Sequence, residues 1–526
     1  MSTDFDVIVV GGGHNGLTAA AWLAKAGRKV LVLERRDKLG GAASTEELIP
    51  GFRFNTGAPD AGLLLPRIIQ ELDLHKHGLD FVDSPVAAFA PQPDGSAVTL
   101  WRDAERSAFE IATFSASDAR AFLAFQKQNE RFAEVIASLA QLRPFAISNN
   151  SIRLMTAWAR FALGVRRLGR RDMMEFLRVL PLSAYHYLNE HFESDALKGL
   201  LASFSTTGLM QGPRASGTAF MFLYQQMGGA NGGYRSSLVP RGGVGQLSSA
   251  LAHAAQGFGA QVRTGAPVQS ILVASGSVHG VRLSTGEEIS AKSVLSSVDP
   301  RTTFLGLLGA PQLEPRISCR LRSLKLRGST ATVHLALNGV PDFPAATDPQ
   351  LLTGTIVICP SLDYAERAFD DAKHGRVSTH PVLEARIPSL LDPGYAPAGK
   401  HTMSMIVRYA PYRLREGDWE SRRERLADLA VETLAQHAPG FLSLILDRKV
   451  ITPLDYEREY GLAEGGELHG QMGLDQMLLM RPVPGFIGYH SPIAGLYICG
   501  AGAHPGGGVT GAPGLNAARQ ANAELR

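Results

Sequence analysis

Apolar residues gather in short β-branched blocks at both ends of the chain, each block meeting glycine and then a helical stretch. Asp6 to Val10 is such a block; glycine fills 11 to 13, Leu17 to Ala26 is alanine-rich, Gly27 stops it, and Val30 to Leu33 forms the next block. This order predicts strand, turn, helix, strand. A second stretch runs from Val239 through an apolar helix ending at Ala255 to the strand-like Gln261–Arg263 and Val268–Ile271. The third is at the far end, where Leu496 to Ile498 precedes a glycine loop and a final helix. Strands alternating with helices predict an α/β fold with a mostly parallel sheet. Because the pieces lie far apart, the domain they build is expected to be discontinuous.

The bulk numbers narrow the function classes. A chain of 526 residues exceeds one simple core, so two or three domains are expected. Hydrophobic residues at 45%, charged residues at 19% and a mean hydropathy of −0.01 describe an ordinary globular protein. A net charge of +3 is too weak a field for nucleic acid, which is set aside as a partner. The nearest approach to a membrane span, Ala215 to Tyr234, is interrupted by glycine and glutamine. Cys319, Cys359 and Cys499 are odd in number and far apart, which argues against a disulfide framework, a CxxC pair or a zinc site and for a reducing, cytoplasmic location. The strand-like start by Asp6 leaves no room for an export or import leader. The 56 glycines fall in clusters, as tight backbone approaches to a ligand require.

Gly11, Gly13 and Gly16 spell GxGxxG between a strand and a helix, with His14 and Asn15 inside the turn. The first glycine permits the turn, the second brings N–H groups to a pyrophosphate, and the third lets the helix pack on the sheet. The helix N-terminus then faces the phosphates. Glu34 ends the second strand, 18 residues beyond Gly16, where a carboxylate accepts hydrogen bonds from ribose hydroxyls and repels a 2′-phosphate. Near the C-terminus, Gly500 and Gly502 open the last glycine loop, and Gly508, Val509, Gly511 and Asn516 lie where it enters the final helix. N–H groups there can stabilise negative charge on a bound ligand. Gly506, Gly508 and Gly511 also spell GxGxxG, but His504 and Pro505 precede them instead of a strand, so no second nucleotide domain is expected. His504 is the polar side chain of that loop and the candidate base or hydrogen-bond donor. Asp299, before Pro300, reads as a turn residue.

Four segments carry a resemblance. They are Gly-Gly-Gly-His-Asn-Gly-Leu at 11 to 17, Gly-Gly-Ala-Ala-Ser-Thr-Glu-Glu at 40 to 47, Pro-Gly-Phe-Arg-Phe at 50 to 54, and Gly-Ala-Gly-Ala-His-Pro-Gly-Gly-Gly-Val at 500 to 509. Together they resemble the phytoene desaturase-like FAD-dependent oxidoreductases, nearest the pyridine nucleotide-disulfide oxidoreductase domain-containing group and its bacterial relatives. The resemblance implies FAD as cofactor, with Arg35, Arg36, Gly40, Gly41 and Ala42 along the pyrophosphate and ribityl chain and Val268 beside the adenine. It also implies a discontinuous Rossmann-like FAD-binding domain (1–85, 236–310 and 481–526) into which an α+β substrate domain is inserted (86–235, mostly helical, and 311–480, sheet plus helices). The implied activity is a desaturase or dehydrogenase passing hydride from a hydrophobic, isoprenoid-like substrate to flavin N5, with reoxidation by oxygen or a quinone. Residue 42 departs from the pattern, being alanine where amine oxidases and carotenoid desaturases carry arginine. That departure weighs against both a carotenoid substrate and the second enzyme reading, a flavin amine oxidase, which would also need an aromatic cage. A non-catalytic, FAD-stabilised regulatory scaffold is the third reading. Finally, Leu154, Trp158, Phe161, Val165 and Leu168 recur at helical spacing among Arg153, Arg160, Arg166, Arg167, Arg170 and Arg171. This basic amphipathic stretch, 151–171, either lies in a membrane interface as a peripheral contact or packs its stripe on its own domain.

Overall fold

The computed structural model describes residues 4–144, 152–231 and 238–525. Two seven-stranded sheets organise the chain. In the first, Phe5–Val10 lies between Glu288–Ser296 and Val30–Leu33, and Val30–Leu33 pairs in turn with Gln261–Arg263, all parallel. Leu496–Ile498 joins the far side of Glu288–Ser296, also parallel. Val268–Ala274 and Ser277–Leu283 extend the sheet as an antiparallel meander. The buried runs Val7–Val10 and Val30–Leu33 are apolar on both faces because helices cover both sides, as a parallel sheet requires.

The second sheet runs Ile445–Ile451, Thr330–Leu337, His401–Arg408, Leu383–Arg386, Thr355–Ile358, Val86–Pro91 and Ala97–Trp101. Its pairs are antiparallel except Thr355–Ile358 with Val86–Pro91. One face, with Val333, Leu335, Met403, Met405 and Leu383, is buried against the helix Trp419–Ala435. The opposite face carries Thr332, His334, Ser404, Glu384 and Arg386, so strand alternation sets a polar surface toward the interior of the molecule.

The described residues of 104–140 and 152–225 are mostly helical, and their buried side chains form one apolar cluster. The amphipathic stretch is the helix Ile152–Arg167, followed by Arg170–Val179; Ser151 and the side chains of Arg153 and Leu154 lie outside the described residues. Phe161, Val165 and Leu168 pack on the helical core, and the Trp158 indole donates to the Arg143 carbonyl at 3.1 Å. Met155, Leu163, Met174 and Leu177 remain exposed. Among the described residues no helix is long and apolar enough to cross a membrane.

Candidate flavin site

A cleft of about 1500 Å³, open mouth included, runs along the C-terminal ends of the parallel strands. The first strand ends at Val10 and the chain turns at Gly11, whose φ of +95° suits glycine. A Cβ on Gly16 would sit 2.2 Å from the Gly11 carbonyl oxygen, so only glycine lets the helix His14–Lys25 start this close to the strand. That helix has no side-chain cap, which leaves its first N–H groups for an anionic ligand. The final helix, Ala512–Glu524, also starts without a side-chain cap. It meets the first helix where a Cβ on Gly514 would lie 2.1 Å from the Asn15 carbonyl oxygen.

Glu34 is fixed at the cleft by its own neighbours. Its Oε2 accepts from the Gly12 N–H at 2.7 Å and its Oε1 from the Arg36 N–H at 2.9 Å. The Gly40 N–H donates to the Gly12 carbonyl at 2.8 Å, locking the double glycine beside the first turn. Gly11, Gly13, His14, Asn15, Glu34, Arg35, Gly40, Gly41, Ala42 and Val268 all line the cleft.

The other expected contacts lie elsewhere. Arg36 is not among the cleft's lining residues: it pairs with Glu46 at 2.7 Å and covers the ring of the cleft residue Tyr460 at 4.6 Å. Gly16, Gly500, Gly502 and Gly511 serve close packing: added Cβ atoms would meet Gly11, Ser297, Pro300 and Ile68 within 2.6 Å. Gly508 and Val509 have φ values of +100° and +60°, and Gly508 faces Leu63. The Asn516 amide donates to the Ala140 carbonyl at 3.1 Å. The His504 ring turns from the cleft into a smaller cavity with Pro144, Arg481 and Tyr489, its Nε2 3.0 Å from the Leu139 carbonyl. Burial pushes its pKa down to about 4. A ring so placed holds the loop to the helical domain and offers no base to the cleft. Asp299 is the turn residue expected, accepting from the Thr302 N–H at 3.0 Å.

Sequence reasoning missed Tyr460, Glu467 and His469, which line the cleft, and Arg481 behind it. Tyr460 ends the helix Pro453–Tyr460, and the other three sit among short turns with no periodic pattern to mark them. His14 Nε2, Asn15 Oδ1 and His469 Nδ1, on residues that line the cleft, are buried without hydrogen-bond partners. Such a group of orphaned atoms at the cleft fits a polar ligand that completes them. Burial, and then the neighbouring His469, push the His14 pKa down to about 4. Burial lowers His469 as well, against the opposing pull of Asp299.

These histidines make an acid prediction. Burial holds His14 and His504 near 4 and His334 near 3, against an ordinary 6.5. Below about pH 6.5 the unfolded chain binds protons that the folded chain cannot, so stability is full above that pH and falls toward pH 4, by roughly 3 kcal/mol per histidine. Thermal midpoints of the flavin-free protein should drop steeply across that window; a flat profile would show that the rings are not held neutral.

A second space of about 740 Å³, open mouth included, lies on the polar face of the second sheet, lined by Thr332, Thr355, Glu384, Arg386, Ser404 and Ile406 with Pro59, Val239, Ile387, Pro388 and Leu391. Gly57 also lines it, and a Cβ on Gly57 would sit 2.9 Å from the Ala42 Cβ, so the two spaces lie back to back across this contact.

The model of the flavin containing amine oxidoreductase family matches residues 16–522. Pyridine nucleotide-disulfide oxidoreductase domain-containing protein 2 of Rattus norvegicus is 36% identical over 98% of this chain and 93% of its own. A limonene dehydrogenase subunit of Castellaniella defragrans is 30% identical over 98% of this chain and 94% of its own. Among solved structures, an oxidoreductase from Methanosarcina mazei shares the fold with a TM-score of 0.62 at 16% identity, over 99% of this chain and 100% of that one. The chain therefore belongs to the flavin-containing amine oxidoreductase family, and its cofactor is FAD.

Proposed function

We propose that this protein is a dehydrogenase that removes hydrogen from a carbon skeleton of largely apolar, isoprenoid-like character, with oxygen or a quinone as final acceptor. The observation that carries the reading is the second cavity, set directly behind Ala42 at the cleft wall. FAD, once bound, supplies a two-electron acceptor for hydride at its N5. Glu34 would hold the ribose, the N-terminus of His14–Lys25 the pyrophosphate, and Pro267 with Val268 the adenine. Ala42, His469 and Ala501 then bound the far end of the cleft. The protein's contribution is to orient the substrate against that end and to keep water out.

No aromatic side chain lines the second cavity among the described residues, which favours carbon dehydrogenation over the amine-oxidase reading with its aromatic cage. The likeness to a limonene dehydrogenase supports the same choice. The test is anaerobic absorbance of the FAD-loaded protein with isoprenoids, amines and NADPH in turn. Bleaching by an isoprenoid is the expected result. Bleaching by an amine alone would replace the reading with amine oxidation, and a flavin that nothing reduces would replace it with the scaffold.

A further inference from the structure

Removing two hydrogens from a carbon skeleton releases one hydride and one proton, and the proton needs an acceptor. Arg408 marks where that acceptor sits. Its side chain is 3% exposed and lies between two carboxylates, one from each cavity. Glu384, which lines the second cavity, accepts from Arg408 Nε at 3.1 Å and Nη2 at 2.9 Å. Thr207 Oγ1 accepts from the same Nη2 at 3.2 Å. Glu467, which lines the flavin cleft, stands 3.9 Å from Arg408 Nη1, beyond hydrogen-bond distance. One guanidinium thus serves two acids, and the close bonds go to Glu384.

The backbone fixes this asymmetry. A Cβ on Gly466 would lie 2.0 Å from the Leu326 carbonyl oxygen, and one on Gly328 would lie 2.2 Å from the Gly465 carbonyl oxygen. The glycine pair before Glu467 is therefore pressed against the segment leading into the strand Thr330–Leu337, and the carboxylate is projected at the boundary of the two spaces. A quarter of the Glu467 side chain is exposed, whereas Glu384 is 5% exposed. Burial lifts the Glu467 pKa above the usual carboxylate range, Arg408 opposes the rise and Glu384 adds to it. The groups facing it are Arg408, Glu384, Thr330 and, on the helix Pro453–Tyr460, Tyr456. Of the other acids lining the cleft, Glu34 is held by Gly12 and Arg36, and Glu457 by Tyr412 and the Glu464 N–H.

We propose that Glu467 is the proton acceptor of the dehydrogenation, with Arg408, anchored by Glu384, as its positioning residue. The proposal rests on the reading that FAD in the adjoining cleft oxidises a C–H bond. As the substrate gains a double bond, two electrons and one hydrogen leave as hydride to FAD. The second hydrogen leaves as a proton to the Glu467 carboxylate, which becomes the acid and returns the proton to solvent before the next turnover. The Arg408 charge, 3.9 Å away, orients the carboxylate without bonding to it, and the neighbouring Glu384 adds the negative charge that makes it ready to take a proton.

The test needs no substrate. In the FAD-loaded protein, a carboxyl that accepts protons at this boundary is expected to take one up when the cofactor is reduced. The midpoint potential of the two-electron couple, followed by dye-linked anaerobic titration from acidic to alkaline pH, counts the protons taken up. Wild type is expected to take up about one proton more than Glu467→Gln where the carboxyl titrates. Glu467→Asp, which keeps the acid but draws it back from Arg408, should retain the extra proton. It carries the comparison if Glu467→Gln does not hold FAD. Parallel lines for wild type and Glu467→Gln, or a wild-type line without the extra proton, would overturn the assignment. A wild-type chain that takes up no FAD would fail the cofactor reading itself, a different result.

Discussion

Gly16→Ala is expected to purify without a flavin band and to unfold at least about 3 kcal/mol more easily than wild type, the scale of a forced clash at a packed backbone contact. The added methyl would lie 2.2 Å from the Gly11 carbonyl oxygen and 3.0 Å from Ser297 Oγ. Neither partner has freedom to retreat. The Gly11 N–H is bonded to the Leu33 carbonyl at 2.8 Å, and its carbonyl accepts from Ser297 Oγ at 2.9 Å. Relief must come from shifting the helix His14–Lys25, whose uncapped first N–H groups would hold the pyrophosphate. Absorbance of the purified variant and a denaturant midpoint measure both losses. Wild-type flavin content in this variant would mean that the helix start is not the binding element.

The second large effect is expected at Arg481. Its guanidinium is buried and its five N–H groups make six contacts, one of them shared, all with backbone carbonyls. Two go to Ala501, and the rest to Leu468, Gly470, Gln471 and Gln476. No carboxylate pairs with it among the described residues, and burial pulls its pKa down to about 10. It staples the segment that carries Glu467 and His469 to the loop that carries Ala501. Lysine keeps the charge but brings only three donors on a flexible stem, so several carbonyls lose their partner. Arg481→Lys should cost about 3–5 kcal/mol and weaken FAD binding at least about tenfold, as breaking a buried charged network does. A thermal melt and a flavin titration test this; a variant that melts and binds as wild type does would show that the staple is dispensable.

What could be read from the chain was local. The first strand, turn, helix and second strand need only contiguous residues, and Glu34 follows from its place at a strand end, so the glycine-turn wall of the cleft was legible. Gly40 and Gly41, which also line the cleft, were pointed to by the resemblance and not by local pattern. The order of the second sheet was not legible, because Thr355–Ile358 pairs with Val86–Pro91 across more than 250 residues and no local pattern encodes that partner. Side-chain direction was the other limit. His504 and Asn516 lie in the segment expected at the flavin, yet both point at carbonyls of the helix Ala116–Ala140. Arg36 shares its segment with cleft residues but is claimed by Glu46 and Tyr460, charges and rings that come from other strands and helices. Glu467, His469 and Arg481 occupy a stretch of short turns, where function rests on tertiary contacts and leaves no periodic trace.

The central claim is that the cleft along Gly11–Asn15, Glu34 and Gly40–Ala42 holds FAD, and the most direct measurement is a titration of flavin-free protein with FAD, read by flavin absorbance and fluorescence, for wild type and Glu34→Ala. Saturation at one FAD per chain, with binding weakened about tenfold or more in Glu34→Ala through loss of the ribose contact, is the predicted result. No binding by wild type, or equal binding by both chains, would contradict the placement of the cofactor.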